Sequence, residues 1–113
     1  VTPAPAPRLE LLHGTLDLLV LKALAHGPLH GWAIAKRIQQ LSRDVLTVNQ
    51  GSLYPALYRL EERGWIDGEM ATSDEGRRIK VYRQTPAGRK QLARELETWR
   101  LFTAAMSAVI RTA

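Results

Sequence analysis

The chain has 113 residues, 45% of them hydrophobic and 24% charged, a composition that suits one globular domain with a modest core. It contains no cysteine, which excludes disulfides, thiolate metal sites and a cysteine nucleophile. Its net charge of +5 and pI of about 10.1 favour polyanionic partners, nucleic acid first and acidic membrane surfaces second.

The opening stretch "VTPAPAPR" alternates small residues with Pro3, Pro5 and Pro7 and has no apolar core of the kind a secretory signal needs. It reads as an extended, poorly ordered arm over residues 1–8. Leu16, Leu19, Val20, Ala23 and Leu24 then recur on one face of a 3.6-residue period, which predicts a first helix. Thr15 is its expected N-cap, Asp17 suits its first turn, and Gly27-Pro28 ends it. The apolar run inside it, "LDLLVLKALA", is interrupted by Lys22 and falls short of the roughly 20 residues that span a bilayer. No membrane partner is expected, and the expected location is the cytoplasm.

A second helix is predicted from about Gly31 to Leu41. Trp32, Ile34, Ala35, Ile38 and Leu41 should mark its buried side, and Lys36, Arg37, Gln39 and Gln40 its wet side. The linker "SRDVLTV" leads to "NQGSLYPALYRLEERGW", where Leu53, Leu57 and Leu60, with Ala56 beside them, make a core stripe. Either Asn49 or Ser52 can cap this third helix. With Ser52 as the cap, Pro55 falls in the first turn at no cost; with Asn49 it is interior and should kink the helix. Gly64 is the expected C-terminal glycine.

Beyond Gly64, "WIDGEMAT" and "RIKVYRQT" flank "SDEGRR", a turn with Gly76, and predict a β-hairpin with an acidic-then-basic tip. Alternation puts Arg78, Lys80 and Tyr82 on one face and Ile79 and Val81 on the other. Thr85-Pro86 then starts a long helix running to about Ile110, with Thr as N-cap and Pro at the first helical position. The predicted fold is mainly α with a small β-hairpin: three helices and a wing over residues 9–84, the winged helix-turn-helix, followed by a C-terminal helix over 85–113.

In that arrangement the third helix reads DNA. Tyr54, Tyr58 and Arg59 lie off its leucine stripe, and Asn49, Gln50 and Ser52 lie near its start, placed for phosphate or base edges. On the hairpin, Arg77, Arg78 and Lys80, with Arg83, suit phosphate or minor-groove contact. The competing reading is a solvated turn whose arginines pair with Asp74 and Glu75. Glu61 and Glu62 are expected to pair with Arg59, Arg63 or solvent. Leu92, Leu96, Trp99, Phe102, Met106, Val109 and Ile110 form a seam at spacings of 3 and 4, which predicts a two-fold dimer through the last helix. Ala87, Leu92 and Leu96 should pack partly within their own chain. Trp32 and Trp65 are expected to be core anchors, Trp65 for the hairpin.

His13, His26 and His30 are scattered and lack ligand spacing, so neither a metal nor any other cofactor is expected. No catalytic triad, phosphate-cradling glycine loop or paired carboxylates appear either, so an enzyme is not expected.

The stretches "LDLLVLKAL", "GPLHGWAIAKRI", "GSLYPALYRLEERGWI", "RRIKVYRQTPAGRKQL" and "ELETW" together resemble the PadR family of bacterial transcriptional regulators over about Leu11 to Trp99. The run "GSLYPALYRLEERG" followed by "KVYRQTPAG" is far more specific than a generic winged-helix pattern. One departure is Trp32, where the family usually has tyrosine. The early end after the first C-terminal helix resembles the short branch of the family. The resemblance implies a homodimer that represses promoters at a pseudo-palindromic double-stranded operator, released in many members by a small effector. Trp99 would lie near its symmetry mate, where it either packs the interface or sandwiches a flat aromatic effector. Two other classes of function remain compatible with the residues: a winged-helix module that binds another protein, and a small-molecule-binding dimer without an operator.

Overall fold

The computed structural model describes residues 9–10 and 15–112; the arm over residues 1–8 and His13 lie outside the described residues. Helix α1 spans Thr15–Ala23 and tightens into a 3₁₀ turn over Leu24–His26 before Gly27. Thr15 is its first helical residue. Leu16, Val20, Ala23 and Leu24 are buried as the spacing predicts, and so is Leu21, with Leu18 and Leu19 packed at the edge of the core. The apolar surface is wider than one stripe because α1 is the central helix, in contact with α2, α3 and α4.

Helix α2, Gly31–Leu41, buries Ile34 and Ile38. Two of its expected core positions are corrected: Trp32 is 54% exposed and Leu41 66% exposed. At about 100° per residue, Trp32 lies some 160° from Ile34, on the opposite side of the helix. Leu41 shares the apolar face but closes the helix at its last residue, beyond the reach of the core.

Helix α3, Gln50–Glu62, is capped by Asn49, whose Oδ1 accepts from the Ser52 N–H at 2.9 Å. Pro55 is therefore interior. Its ring removes the one backbone bond that the Gly51 carbonyl would accept, and Gly51 is exposed to water. The helix ends in a Schellman pair: Trp65 N–H donates to the Leu60 carbonyl at 3.1 Å and Gly64 N–H to that of Glu61 at 3.0 Å, with Gly64 at φ 74°.

The wing is the hairpin of β4 (Ile66–Thr72) and β5 (Arg78–Gln84), registered from Ile66↔Gln84 to Thr72↔Arg78. A third strand, β2 (Leu29–His30), pairs antiparallel to β5 and ties the α1–α2 turn to the wing. A separate short ladder joins β1 (Leu9–Glu10) in parallel to β3 (Leu46–Thr47). Trp65 is half-buried against the core at the foot of the hairpin, with Arg63 over its ring.

Helix α4, Pro86–Arg111, starts at Thr85, whose Oγ1 accepts from Gly88 N–H at 3.0 Å and donates to the Gly64 carbonyl at 2.6 Å. Gly88 and Leu92 are its only residues buried among those described, and Ala87 is exposed, contrary to expectation. Gly88 rests against the backbone of Trp65: a Cβ there would sit 1.9 Å from the Trp65 carbonyl oxygen.

Gly88→Ala tests that contact against intrinsic preference. Helix propensity alone favours alanine by about 1 kcal/mol. Backbone overpacking outweighs it, so the variant should lose roughly 1–2 kcal/mol net. Urea unfolding measures the difference, and an unchanged or raised midpoint would show that the junction yields freely.

Candidate nucleic-acid interface

Leu53, Ala56, Leu57 and Leu60 are almost completely buried, and they fix which side of α3 faces out. Tyr54 is 47% and Tyr58 65% exposed, with Gln50, Ser52 and Pro55 also on the surface. Asn49 is exposed too, but its side-chain oxygen is occupied by the cap, which leaves only its amide NH₂ for another partner. Tyr54 leans on the start of α2: a Cβ on Gly31 would come within 3.0 Å of its ring. That close approach holds the Tyr54 ring on the flank of α3 that looks toward the wing.

Arg59 is placed differently from its neighbours. Its Nη2 lies 3.0 Å from Asp17 Oδ1, so the guanidinium is turned back toward α1 rather than out beside Tyr58. Lys80 is likewise engaged: its Nζ is 2.9 Å from Glu61 Oε1 and 5.3 Å from the Tyr82 ring centroid. Glu61 thus pairs across to the wing, not with Arg59 or Arg63. Arg83 bridges Asp67, at 3.2 Å, and Glu69 on β4. Tyr82, which alternation put on the Arg78–Lys80 face, is buried at the foot of the wing.

Arg77 and Arg78 remain exposed and make no ion pair with any described residue, Asp74 and Glu75 included. The tip is shaped by backbone bonds instead. Gly76 N–H donates to the Ser73 carbonyl at 2.9 Å, and Ser73 Oγ accepts from Arg77 N–H at 3.1 Å. Between α3 and this tip lies a cleft of about 870 Å³, lined by Tyr54, by His30 of β2 and Trp32 of α2, and by Asp74, Glu75, Arg77, Ile79 and Lys80 of the wing. Sequence reasoning missed the place of Trp32 and His30 here. The signal that could have found Trp32 is its angular distance from Ile34.

The far half of α4 presents a second unpaired surface. Leu96, Trp99, Phe102, Met106, Val109 and Ile110 are all exposed, while Leu92 alone of the expected seam is buried. The rings of Trp99 and Phe102 lie 5.8 Å apart. Leu101 is exposed as well, half a turn from the seam. Among the described residues no helix is long and apolar enough to cross a membrane, and no three potential metal ligands gather in one place.

Three packed helices followed by a β-hairpin wing define a winged-helix protein, and comparisons with known proteins give the family. The profile of the transcriptional regulator PadR-like family matches residues 20–94, so the chain belongs to that family. It is 40% identical over 86 residues to the transcriptional regulator Rv3488 of Mycobacterium tuberculosis, covering 76% of this chain and 77% of that protein. The fold is similar to that of a transcriptional regulator from Clostridium thermocellum, with a TM-score of 0.80 and 28% identity over 87% of this chain and 95% of that one. A PadR family regulator from Clostridium difficile superposes with a TM-score of 0.74 at 28% identity, over 86% of this chain and 99% of the other. Proteins of this family are DNA-binding regulators of transcription, not enzymes.

The tie between the wing and α3 has a pH signature. The hydrogen bond to Glu61 raises the Lys80 pKa above its ordinary 10.5, and burial raises the Tyr82 hydroxyl above 10.0. Both folded values lie above the unfolded ones. Their contributions are therefore complete at neutral pH and are lost as pH rises through the folded values. Glu61→Gln should cost no more than about 1 kcal/mol at neutral pH, since the pair is solvent-exposed. The difference between the two proteins should vanish well above pH 10.5. Denaturant midpoints at both pH values check this, and a gap that persists in alkali would assign it to something other than Lys80.

Proposed function

We propose that the chain is a homodimeric transcriptional repressor that reads a pseudo-palindromic operator with α3 and grips it with the wing. The observation that carries this reading is the shared cleft: Tyr54 of α3 and the unpaired Arg77 of the wing open onto the same side of the molecule. Residues 9–84 form the DNA-binding unit and residues 85–113 the dimerisation helix. Tyr54 and Tyr58 enter the major groove, where a ring meets a thymine methyl or a hydroxyl meets a phosphate. Gln50 and Ser52 reach backbone or base edges from the helix start, with the Asn49 amide beside them. Arg77 and Arg78 supply charge to the phosphates or the minor groove. Arg59 and Lys80, held by Asp17 and Glu61, set the angle of helix and wing instead of contacting DNA directly.

Two reading helices enter successive major grooves only when about 34–36 Å apart. The exposed seam from Leu96 to Ile110 is the surface that a second copy covers to set that distance, because a helix of 26 residues in which only Gly88 and Leu92 are buried is otherwise poorly satisfied. A planar aromatic molecule wedged beside Trp99 releases the operator if it binds more tightly to a spacing that does not fit the duplex.

Fluorescence anisotropy of labelled duplexes over a range of salt tests the DNA reading. Tyr54→Ala should weaken operator binding by about 1–3 kcal/mol and relax its sequence preference. Replacing Arg77 and Arg78 together by alanine should weaken binding to every duplex and flatten the salt slope by about two. Equal, weak binding by all three proteins to operator and scrambled DNA would leave charge attraction only and favour a protein partner.

Placing aspartate at Phe102 and Met106 should convert the dimer to monomer in sedimentation without altering the winged domain, and abolish cooperative operator binding. Unchanged assembly would put the interface elsewhere. Planar aromatics that leave both Trp fluorescence and DNA affinity unchanged would end the effector reading.

A further inference from the structure

Trp32 is more than half exposed on a helix that buries Ile34 and Ile38, and unlike the exposed Leu41 at its last residue it lies on the face opposite them. It is not a loose side chain. The His30 ring stacks on it at 6.2 Å with a 12° interplanar angle, and Lys36 Nζ lies 4.5 Å from its ring centroid. His30 itself is fixed, because its Nδ1 accepts from the Ala33 N–H at 3.2 Å. An imidazole that accepts at Nδ1 carries its proton on Nε2, which is then a donor. The result is an ordered indole with two nitrogen donors around it: His30 Nε2–H and the Lys36 ammonium.

The position of this cluster says what it meets. Trp32 and His30 line the same cleft as Tyr54 and Arg77. Adjacent grooves of a duplex are separated by one sugar–phosphate strand. A protein with a helix in one groove and a wing in the next must straddle that strand, and the cleft between Tyr54 and Arg77 is where the straddled strand would run. We propose that Trp32, with His30 and Lys36, is a third DNA contact, made to the sugar–phosphate strand between the reading helix and the wing. The inference rests on the DNA-reading function proposed above and adds a contact from α2 to it. The indole N–H donates to a phosphate oxygen, its ring covers deoxyribose, and Lys36 neutralises a phosphate. Asp74 and Glu75, which also line the cleft, oppose the strand and temper the attraction. Such a contact positions the protein and carries no sequence information. It therefore differs in kind from that of Tyr54.

The test uses the full chain and a duplex enriched from a randomised pool by binding to wild type. Trp32→Ala should weaken binding about tenfold, equally for the enriched duplex and a scrambled one, with Trp32→Phe intermediate because it keeps a ring and loses the N–H. Lys36→Gln should flatten the salt slope by about one. Asp74→Asn with Glu75→Gln should change affinity in the opposite direction, tightening both duplexes. Thermal melts show whether each variant is folded; should Trp32→Ala unfold, the Phe and Lys36 variants decide. Wild-type affinity and slope in Trp32→Phe and Lys36→Gln, with binding lost in Tyr54→Ala, would overturn this contact and leave the DNA reading standing. Failure of the pool to yield any enriched duplex would remove the DNA reading, and this contact with it.

Discussion

The rotation of α3 about its own axis is the constraint on which the rest of the site depends. Leu53, Ala56, Leu57 and Leu60 are almost fully buried, and burying each leucine is worth about 1.5–3 kcal/mol. Turning the helix by even one residue step would expose part of that stripe. With the stripe fixed, Tyr58 faces outward, Tyr54 lies on the wing flank and Arg59 on the α1 flank. The ion pairs on those flanks, Arg59–Asp17 and Glu61–Lys80, are exposed and each worth about 1 kcal/mol at most. Hydrophobic burial therefore decides the orientation. The ion pairs hold α1 and the wing at a defined angle to it.

A second consequence concerns where positive charge is available. A net charge of +5 describes the whole chain, but the structure distributes it unevenly. Arg59, Lys80 and Arg83 are held by carboxylates, while Arg77 and Arg78 are not. At the wing tip Arg77 and Arg78 are therefore open to a polyanion, and Lys36 and Arg37 of α2, with Arg43 just beyond it, also make no ion pair with any described residue. The same tip carries Asp74 and Glu75, so attraction there is moderated. A surface of that kind favours fitted contacts over indiscriminate adhesion.

Much of this was legible in the sequence, and the exceptions have physical causes. The leucine stripe of α3, the Thr85-Pro86 start of α4 and the Gly64 stop are local patterns, and the structure contains them as read. The cap of α3 stayed open because Asn49 and Ser52 are equally good cap residues; tertiary context selected Asn49. The partners of Arg59 and Lys80 are 42 and 19 residues away in the chain, beyond any local rule. Strand β2 has two residues, too few to show a period, and exists only because β5 offers it an edge. Trp32 is a different case: the helical angle was readable, and residue type was allowed to outweigh it. Large apolar side chains on the wrong side of a predicted helix are better treated as candidate contacts than as core.

The central claim, that the outer side of α3 reads DNA in pairs, is tested most directly by mapping protected guanine N7 positions along a duplex enriched by the protein. The account predicts two protected patches in successive major grooves, about 10–10.5 base pairs apart between centres, both lost on Tyr54→Ala. A single patch, or faint protection spread evenly along the duplex and unaffected by that substitution, would contradict it.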